Sequence, residues 1–182
     1  LLEVMGRNAG WIAVYAGMAN GADAILIPEI PLDDEKLEDL CQMLLTRHSR
    51  GVNYSIIAVA EGTKVRGKTV NRENFAAAGE VPRPKYGGVA VELAEIIEKR
   101  TKLETGVSSL GYIQRGGTPT AYDRSLATVF GVKAITLIQE KSYGRMTALR
   151  GNRITSVPLS TVAEGTKTVD MNTYRTAERF FG

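Results

Sequence analysis

The sequence predicts an α/β fold: a three-layer, Rossmann-like parallel sheet with helices on both faces, plus a C-terminal β-hairpin and helix. Short, continuous apolar runs, such as residues 24–27 and 55–60, are typical of strands that are buried on both faces. Longer stretches with the apolar spacing of a helix separate these runs. Strands that alternate with helices in this way favour a parallel sheet covered on both sides.

The first elements alternate between strand and helix. A strand is predicted over residues 1–4, followed by a helix over 8–19 whose apolar residues lie nearly all round, which indicates a buried helix. The run at 24–27 is the next strand, and Asp33 is placed to cap the helix after it. Residues 55–60 form the third strand. The apolar face of the Asp33-capped helix consists of Leu37, Leu40, Cys41, Leu44 and His48.

The middle of the chain contains a long segment without clear periodicity. Residues 63–87 are rich in Gly, Pro, Lys and Arg, which predicts a surface loop with a short helical piece near Phe75. A helix over 88–100 follows, and a strand over 107–113 comes next. The residues expected to face inward from this helix are Val89, Leu93 and Ile96 or Ile97.

The last third predicts a long helix, a hairpin and a final helix. Thr118 and Pro119 make an N-cap and first-turn pair for the long helix. Residues 146–157 indicate a hairpin that turns at 150–153, and the final helix lies around 172–180. The apolar stripe of the long helix is Leu126, Val129, Phe130, Ala134, Leu137 and Ile138.

Composition narrows the class of protein. The 182 residues are 43% hydrophobic and 24% charged, as in a globular domain with one sizeable core, so a single domain over 1–182 is expected. The single cysteine, Cys41, excludes an internal disulfide and fits a cytoplasmic protein. No apolar run is long enough to span a membrane. The net charge of +3 has no block of like charge, so we expect neither nucleic-acid nor membrane partners, and the basic excess suits small anions.

Three segments with chemically useful side chains each follow a predicted strand. They are Met5-Gly6-Arg7, Glu61-Gly62 and Gln114-Arg115-Gly116-Gly117. Because ligands of such folds bind beyond the carboxyl ends of the strands, we expect these segments to meet there. Arginine binds phosphate oxygens through two parallel hydrogen bonds, and a carboxylate accepts hydroxyl protons. The sequence therefore predicts a site for a ligand that carries both phosphate and hydroxyl groups, and no spacing indicates a metal site.

Each of these residues also has a structural alternative. Arg7 and Arg115 are also compatible with surface or helix-terminal positions, and Glu61 with capping of a neighbouring helix. Tyr112 is also compatible with packing in the core. The only histidine, His48, fits a core edge or helix end better than catalysis.

The assembled motifs resemble those of the 6-phosphofructokinase family. The resemblance covers essentially the whole chain and corresponds to the carboxyl-terminal half or so of the family's subunit. The chain has no initial Met and already reads as a strand at its first residues, so we expect it to begin partway through the fold. The matching stretches are EVMGR (3–7), GAD (21–23) leading to IPE (27–29), AEG (60–62) and the long, specific GYIQRGGTPTAYDR (111–124).

The resemblance implies transfer of a phosphoryl group to the 1-hydroxyl of fructose 6-phosphate, a glycolytic step that gives fructose 1,6-bisphosphate. It implies that Met5, Gly6 and Arg7 bind the sugar phosphate, with Arg7 also stabilising the transferring phosphoryl group as a catalytic residue. Glu61 stands at the position that accepts sugar hydroxyl protons, and Arg115, next to Gln114, at the position that binds the 6-phosphate.

Two positions and one segment depart from the family pattern. Tyr112 replaces a histidine that contacts the phosphate in many members; its hydroxyl can donate but carries no charge. Gly106 stands where an arginine usually reaches into the neighbouring subunit, and losing such a bond costs about 1.5–3 kcal/mol. Asp23 matches an effector-site acid, but residues 50–53 replace the lysine-rich segment that completes that site, so a structural role is favoured.

The resemblance places the remaining machinery in the other half of the subunit. The donor-phosphate loops, the aspartate associated with Mg²⁺ and the aspartate that acts as general base belong there, so this chain is expected to be inactive alone. ATP is the favoured donor and pyrophosphate the alternative, and a sensor or scaffold without chemistry is a second alternative. Expected partners are fructose 6-phosphate, the chain's own N-terminal domain, and further copies in a dimer or tetramer.

Overall fold

The computed structural model describes residues 1–69, 71–72 and 85–182. These residues divide into two compact units: unit 1, Leu1–Arg115 with Lys167–Gly182, and unit 2, Gly116–Thr166. No helix in the described ranges is both long and apolar enough to cross a membrane.

The secondary structure alternates as the sequence predicts, with shifted boundaries. The strands are β1 (Leu2–Val4), β2 (Ala24–Leu26), β3 (Ile57–Ala60), β4 (Lys64–Val65), β5 (Lys68–Thr69), β6 (Asn71–Arg72), β7 (Lys85–Tyr86), β8 (Ser108–Ser109), β9 (Arg145–Arg150) and β10 (Arg153–Pro158). The helices are α1 (Trp11–Asn20), α2 (Asp34–Ser49), α3 (Val89–Thr101), a 3₁₀ helix (Gly111–Arg115), α4 (Ala121–Gln139), α5 (Leu159–Ala163) and α6 (Met171–Glu178).

Unit 1 is a three-layer α/β structure. Its sheet has the order β2-β3-β1-β8 with every pair parallel, which confirms the predicted fold class. One apolar cluster joins the sheet to α2 and α3, and a second joins it to α1 and α6, so helices cover both faces. Because β1 is central, its carboxyl end lies between those of β3 and β8.

One prediction about helix burial was wrong. The helix α1 is not buried all round: Ala13, Val14 and Gly17 face the sheet, whereas Ile12 and Tyr15 are about half exposed. The helix α2 is capped by Asp33, as predicted. The three leucines and the cysteine of its predicted apolar face are buried. His48 is exposed and lies in the last turn of α2, which agrees with the helix-end position predicted as one of its two alternatives.

The segment after β3 is partly buried. Thr63 and Val65 are buried, and the Thr63 hydroxyl donates to the carbonyl of Leu26 at 3.1 Å. Short antiparallel pairs, β4 with β5 and β6 with β7, replace part of the predicted surface loop over 63–87. The helical piece near Phe75 lies outside the described residues.

The predicted strand over 107–113 is correct only at its start. Pairing with β1 ends when the Leu110 N–H donates to the carbonyl of Glu3 at 3.1 Å. Gly111 then takes a positive φ of 47°, and the chain continues as the 3₁₀ helix. Positive φ is readily adopted only by glycine, so Gly111 is the residue that turns the chain here.

The helix α4 begins two residues later than predicted. Its N-cap is Thr120, whose hydroxyl accepts from the Asp123 N–H, while the Asp123 carboxylate accepts from the Thr120 N–H at 2.9 Å. These hydrogen bonds lower the pKa of Asp123. The predicted pair, with Thr118 as N-cap and Pro119 at the first helical position, was therefore wrong: Thr120 and Asp123 satisfy each other's N–H groups in a capping box. Of the predicted stripe, only Leu137 is fully buried.

Unit 2 contains α4, the β9–β10 hairpin and α5. The hairpin pairs Arg150 with Arg153, so the predicted turn is confirmed. Within this unit, which is described throughout, the buried hydrophobic side chains are Leu137 and Val157.

The final helix, α6, is anchored to the sheet of unit 1. The buried Tyr174 donates its hydroxyl to the carbonyl of Ile25 at 3.0 Å. Burial of the ring raises the pKa of Tyr174 to about 12, so the hydroxyl remains a donor at neutral pH.

A buried carboxylate ties the sheet to α3. Glu3, in β1, accepts from the N–H groups of Gly88 and Ala90 at 3.0 Å and lies 3.4 Å from the Ser109 hydroxyl. Gly88 is the N-cap of α3, so Glu3 satisfies donors at the start of this helix.

Glu3→Gln is expected to lower the free energy of unfolding by about 1–3 kcal/mol, because an NH₂ group would then face backbone N–H groups in a buried position. Urea denaturation measures the change. Glu95→Gln on the exposed face of α3 is the matched control and should change the stability little. Equal stabilities for the two variants would contradict the assigned role of Glu3.

Candidate functional site

The carboxyl ends of β1 and β3 run into two loops whose backbones are in contact. The Glu61 N–H donates to the carbonyl of Val4 at 2.9 Å, and the Gly62 N–H donates to the carbonyl of Gly6 at 3.0 Å. A Cβ on Gly62 would overlap the carbonyl of Arg7. Gly6 has a φ of +151°, and a Cβ there would lie 2.8 Å from the carbonyl oxygen of Ala9. The glycines therefore allow the loops that carry Arg7 and Glu61 to approach this closely.

The third predicted segment reaches the same edge through Gln114. Its side-chain oxygen accepts from the Met5 N–H at 3.2 Å, and its NH₂ group donates to the carbonyl of Gly111 at 3.2 Å. The side chain thus links the 3₁₀ helix, which ends at Arg115, to the turn that contains Arg7. Gln114 was predicted to bind substrate, and its amide here holds two loops together.

These loops enclose an open depression of about 470 Å³. Six of the seven predicted site residues line it, so the convergence inferred from the strand ends is confirmed. Tyr112 is not among the lining residues, and Ile12 from α1 is an additional one. The lining residues are Met5, Gly6, Arg7, Ile12, Glu61, Gln114 and Arg115.

The depression contains two guanidinium groups and one carboxylate. The Arg7 Nε lies 3.7 Å from a Glu61 carboxylate oxygen, and the Arg7 side chain is 57% exposed. The Glu61 side chain is only 18% exposed, so the carboxylate is the more buried partner of the pair. A Glu61 carboxylate oxygen also lies 3.5 Å from the Gly6 N–H. The site thus offers donors for phosphate oxygens and an acceptor for hydroxyl groups.

Tyr112 lies beside Arg115, outside the depression. Its ring is 79% exposed, so packing in the core, the structural alternative, is wrong. The Arg115 guanidinium carbon lies 6.0 Å from the ring centroid, within the range of a cation–π contact. Tyr112 therefore contacts the arginine that lines the depression.

Two contributors were missed by the sequence reasoning. Ile12 was assigned to a buried helix, but it lines the depression. It is the second residue of α1 and follows the Arg7 turn closely in sequence, and this position could have predicted its place at the site. Glu29 accepts from the Gly10 N–H at 3.1 Å and from the Val169 N–H at 2.8 Å, and so fixes the start of α1 below this turn. These long-range contacts leave no periodic pattern in the sequence.

Residues at the opposite edge of the sheet do not join this site. A second depression, of about 450 Å³, is lined by residues that include Leu1, His48, Tyr54 and Gly106. Nearby, Asp23 accepts from the Ile56 N–H at 2.7 Å and pairs with Arg47 at 2.8 Å. The Asp23 carboxylate thus links β2, α2 and the segment before β3, in agreement with the favoured structural role.

Metal ligands do not cluster in the part of the chain that the structure describes. No three His, Cys, Asp or Glu side chains there are grouped so that they could hold an ion.

Comparisons with known proteins agree on one family. The sequence pattern of the family described as Phosphofructokinase matches residues 1–138. The chain is 46% identical over 183 residues to the ATP-dependent 6-phosphofructokinase of Mycobacterium tuberculosis (strain ATCC 25618 / H37Rv), covering 100% of this chain and 52% of that protein. It is 37% identical over 181 residues to the pyrophosphate–fructose 6-phosphate 1-phosphotransferase of Dictyoglomus thermophilum, covering 100% of this chain and 51% of that protein.

The fold agrees as well. The structure of phosphofructokinase from Saccharomyces cerevisiae matches 98% of this chain and 21% of that one, with a TM-score of 0.69 and 32% identity. The chain spans about half the length of the curated relatives named above. Sequence pattern, relatives and fold together show that the chain belongs to the phosphofructokinase family.

Proposed function

We propose that this chain is the fructose 6-phosphate-binding half of a 6-phosphofructokinase, with residues 1–182 acting as its substrate-binding domain. The observation that carries the proposal is the single depression lined by Arg7, Glu61 and Arg115. Two cationic forks and one carboxylate match a ligand with a phosphate at one end and hydroxyls along its length. The family membership supplies the substrate class.

Five of the seven lining residues have a proposed role in this complex. Arg115 binds the 6-phosphate, and its contact with Tyr112 restricts where the guanidinium lies. Glu61 accepts protons from sugar hydroxyls, while Met5 and Gly6 form the backbone wall of the site. Arg7 binds the substrate and, as the catalytic residue of this half, stabilises charge on the transferring phosphoryl group; catalysis of this transfer depends on such positioning and electrostatics.

The other reactants belong to the rest of the proposed enzyme. ATP is the proposed donor, since the M. tuberculosis relative is named as ATP-dependent. Mg²⁺ and the general base would be held mainly by the other half of the polypeptide, where Mg²⁺ would neutralise phosphate charge. The proposed setting is cytoplasmic glycolysis, in a homo-oligomer.

Pyrophosphate is the second candidate donor, because the D. thermophilum relative is named for it. Because the donor-phosphate loops are proposed to lie in the other half, the full-length polypeptide that carries this chain tests both donors, with fructose 1,6-bisphosphate measured in the presence of ATP or pyrophosphate. Product with ATP is expected, and product with pyrophosphate alone would identify the alternative. A chimaera in which this chain replaces the aligned stretch of the M. tuberculosis protein tests this half for function. A folded chimaera that binds fructose 6-phosphate but forms no product with ATP would favour the sensor alternative, to which Tyr112 and Gly106 also point.

Replacing either arginine by alanine is expected to weaken binding of fructose 6-phosphate to this chain by about tenfold or more, because a charge-assisted bond to phosphate contributes about 1.5–3 kcal/mol. Isothermal titration calorimetry measures the affinity of Arg7→Ala and Arg115→Ala. Arg179→Ala, an exposed position after α6, is the control and should bind normally. Unchanged affinity in both site variants would argue strongly against the proposed site.

Gly62→Ala is expected to reduce the affinity for fructose 6-phosphate by roughly tenfold or more, because the new methyl group must push the Arg7 carbonyl away. Gly106→Ala is the matched control, since a Cβ there meets nothing within 4 Å. Calorimetry gives the affinities, and thermal melts verify that both variants are folded. If Gly62→Ala bound as tightly as the control, the loop contact would have no part in ligand binding.

A further inference from the structure

The turn that carries Arg7 is short and is held at both of its ends. Residues 5–10 connect β1 to α1. Near one end, the carbonyl of Gly6 accepts from the Gly62 N–H at 3.0 Å. At the other end, Gly10 is buried and is the N-cap of α1. Only two residues separate Arg7 from Gly10, so the position of Gly10 limits where the Arg7 backbone lies.

Glu29, in the turn that follows β2, holds Gly10 in place. Both of its carboxylate oxygens lie 3.1 Å from the Gly10 nitrogen and accept from this N–H group. The first turn of α1, a helix that is described throughout, has no acidic residue of its own, so Glu29 supplies the negative charge that a helix start favours. A Cβ on Gly10 would overlap the Ile27 side chain, so the start of α1 also lies directly against the end of β2.

The same carboxylate holds the segment that leads into α6. One Glu29 oxygen accepts from the N–H of the buried Val169 at 2.8 Å. Two residues earlier, the carbonyl of Lys167 accepts from the indole N–H of Trp11 at 2.8 Å, and the Lys167 ammonium lies 5.4 Å from the centre of the indole ring. Trp11 is the first residue of α1. The end of β2, the start of α1 and the approach to α6 therefore meet at Glu29.

Glu29 is not among the residues that line the depression. We infer that it is a positioning residue for Arg7; the inference rests on the function proposed above. By fixing Gly10, its carboxylate sets where the Arg7 guanidinium meets the sugar phosphate and the transferring phosphoryl group. A displacement of about 1 Å of a catalytic group can reduce the rate about a hundredfold, so an anchor two residues beyond the arginine affects catalysis without contact with the substrate.

Glu29→Ala in the full-length polypeptide that carries this chain is expected to lower kcat by about tenfold or more, because a displaced Arg7 stabilises less charge in the transition state. Formation of fructose 1,6-bisphosphate at saturating donor separates kcat from KM for fructose 6-phosphate. Asp33→Ala is the matched control, since this carboxylate also accepts from an N–H near a helix start, that of Lys36 at 2.9 Å, but in α2. Both variants should lower the melting temperature, and the control should retain its kcat.

A double-mutant cycle identifies the group through which Glu29 acts. Glu29→Ala should weaken binding of fructose 6-phosphate by roughly tenfold when Arg7 is present, and by less than about twofold in an Arg7→Ala background, because coupled residues are not additive. Isothermal titration calorimetry on the full-length polypeptide gives the four affinities. For a polypeptide without turnover, this cycle alone decides.

Unchanged kcat and affinity in Glu29→Ala would overturn the inference, and so would equal losses of affinity with and without the Arg7 side chain. If Arg7→Ala weakens binding in those experiments, the proposed function stands without the positioning role. If Arg7→Ala has no effect either, the proposed function fails and the inference with it.

A second variant applies if Glu29→Ala does not fold. Glu29→Gln keeps the shape of the side chain but places an NH₂ group against backbone N–H groups. A loss of kcat or of affinity of about threefold or more then supports the inference, whereas a folded Glu29→Gln protein with unchanged kcat and affinity overturns it.

Discussion

The close approach of two loop backbones, at Gly62 and Arg7, sets the position of the whole candidate site. The loops continue neighbouring parallel strands, so their separation is fixed at one end by the ladder between β1 and β3. Beyond the ladder, hydrogen bonds from Glu61 to Val4 and from Gly62 to Gly6 continue the pairing. Glycine is needed at position 62 because a Cβ there would overlap the carbonyl of Arg7. It is needed at position 6 because φ is positive and a Cβ would lie 2.8 Å from the carbonyl oxygen of Ala9. The carboxylate and the guanidinium thus reach the same rim through backbone geometry.

Two side chains connect this contact to the rest of unit 1. Glu3, inside β1, holds the start of α3 through backbone N–H groups, and Gln114 holds the 3₁₀ helix against Met5. Each uses a polar side chain to satisfy backbone groups where a regular element begins or ends. Arg7 and Arg115 are not among these anchoring residues. They are exposed at the rim, where their guanidinium groups are accessible to a ligand.

The sequence was informative where a local rule governed the structure. Continuous apolar runs located the buried strands, and the strand-end rule brought Arg7, Glu61 and Arg115 to one edge. It failed where contacts over long sequence separations decide the outcome. Residues 107–113 were predicted as one strand. Their pairing with β1 ends at Leu110, and the chain continues as the 3₁₀ helix. Of the stripe predicted to be covered on α4, only Leu137 is buried. Apolar residues occur on more than one side of this helix, and periodicity alone does not tell which side is covered.

The boundary between the two units lies directly after the candidate site. It falls between Arg115 and Gly116, directly after the last residue that lines the depression. All lining residues therefore belong to unit 1, whose sheet is covered by helices on both faces and has its own core. Unit 2, by contrast, buries few of its own hydrophobic side chains. The proposed ligand site thus lies in a unit that is packed by its own residues.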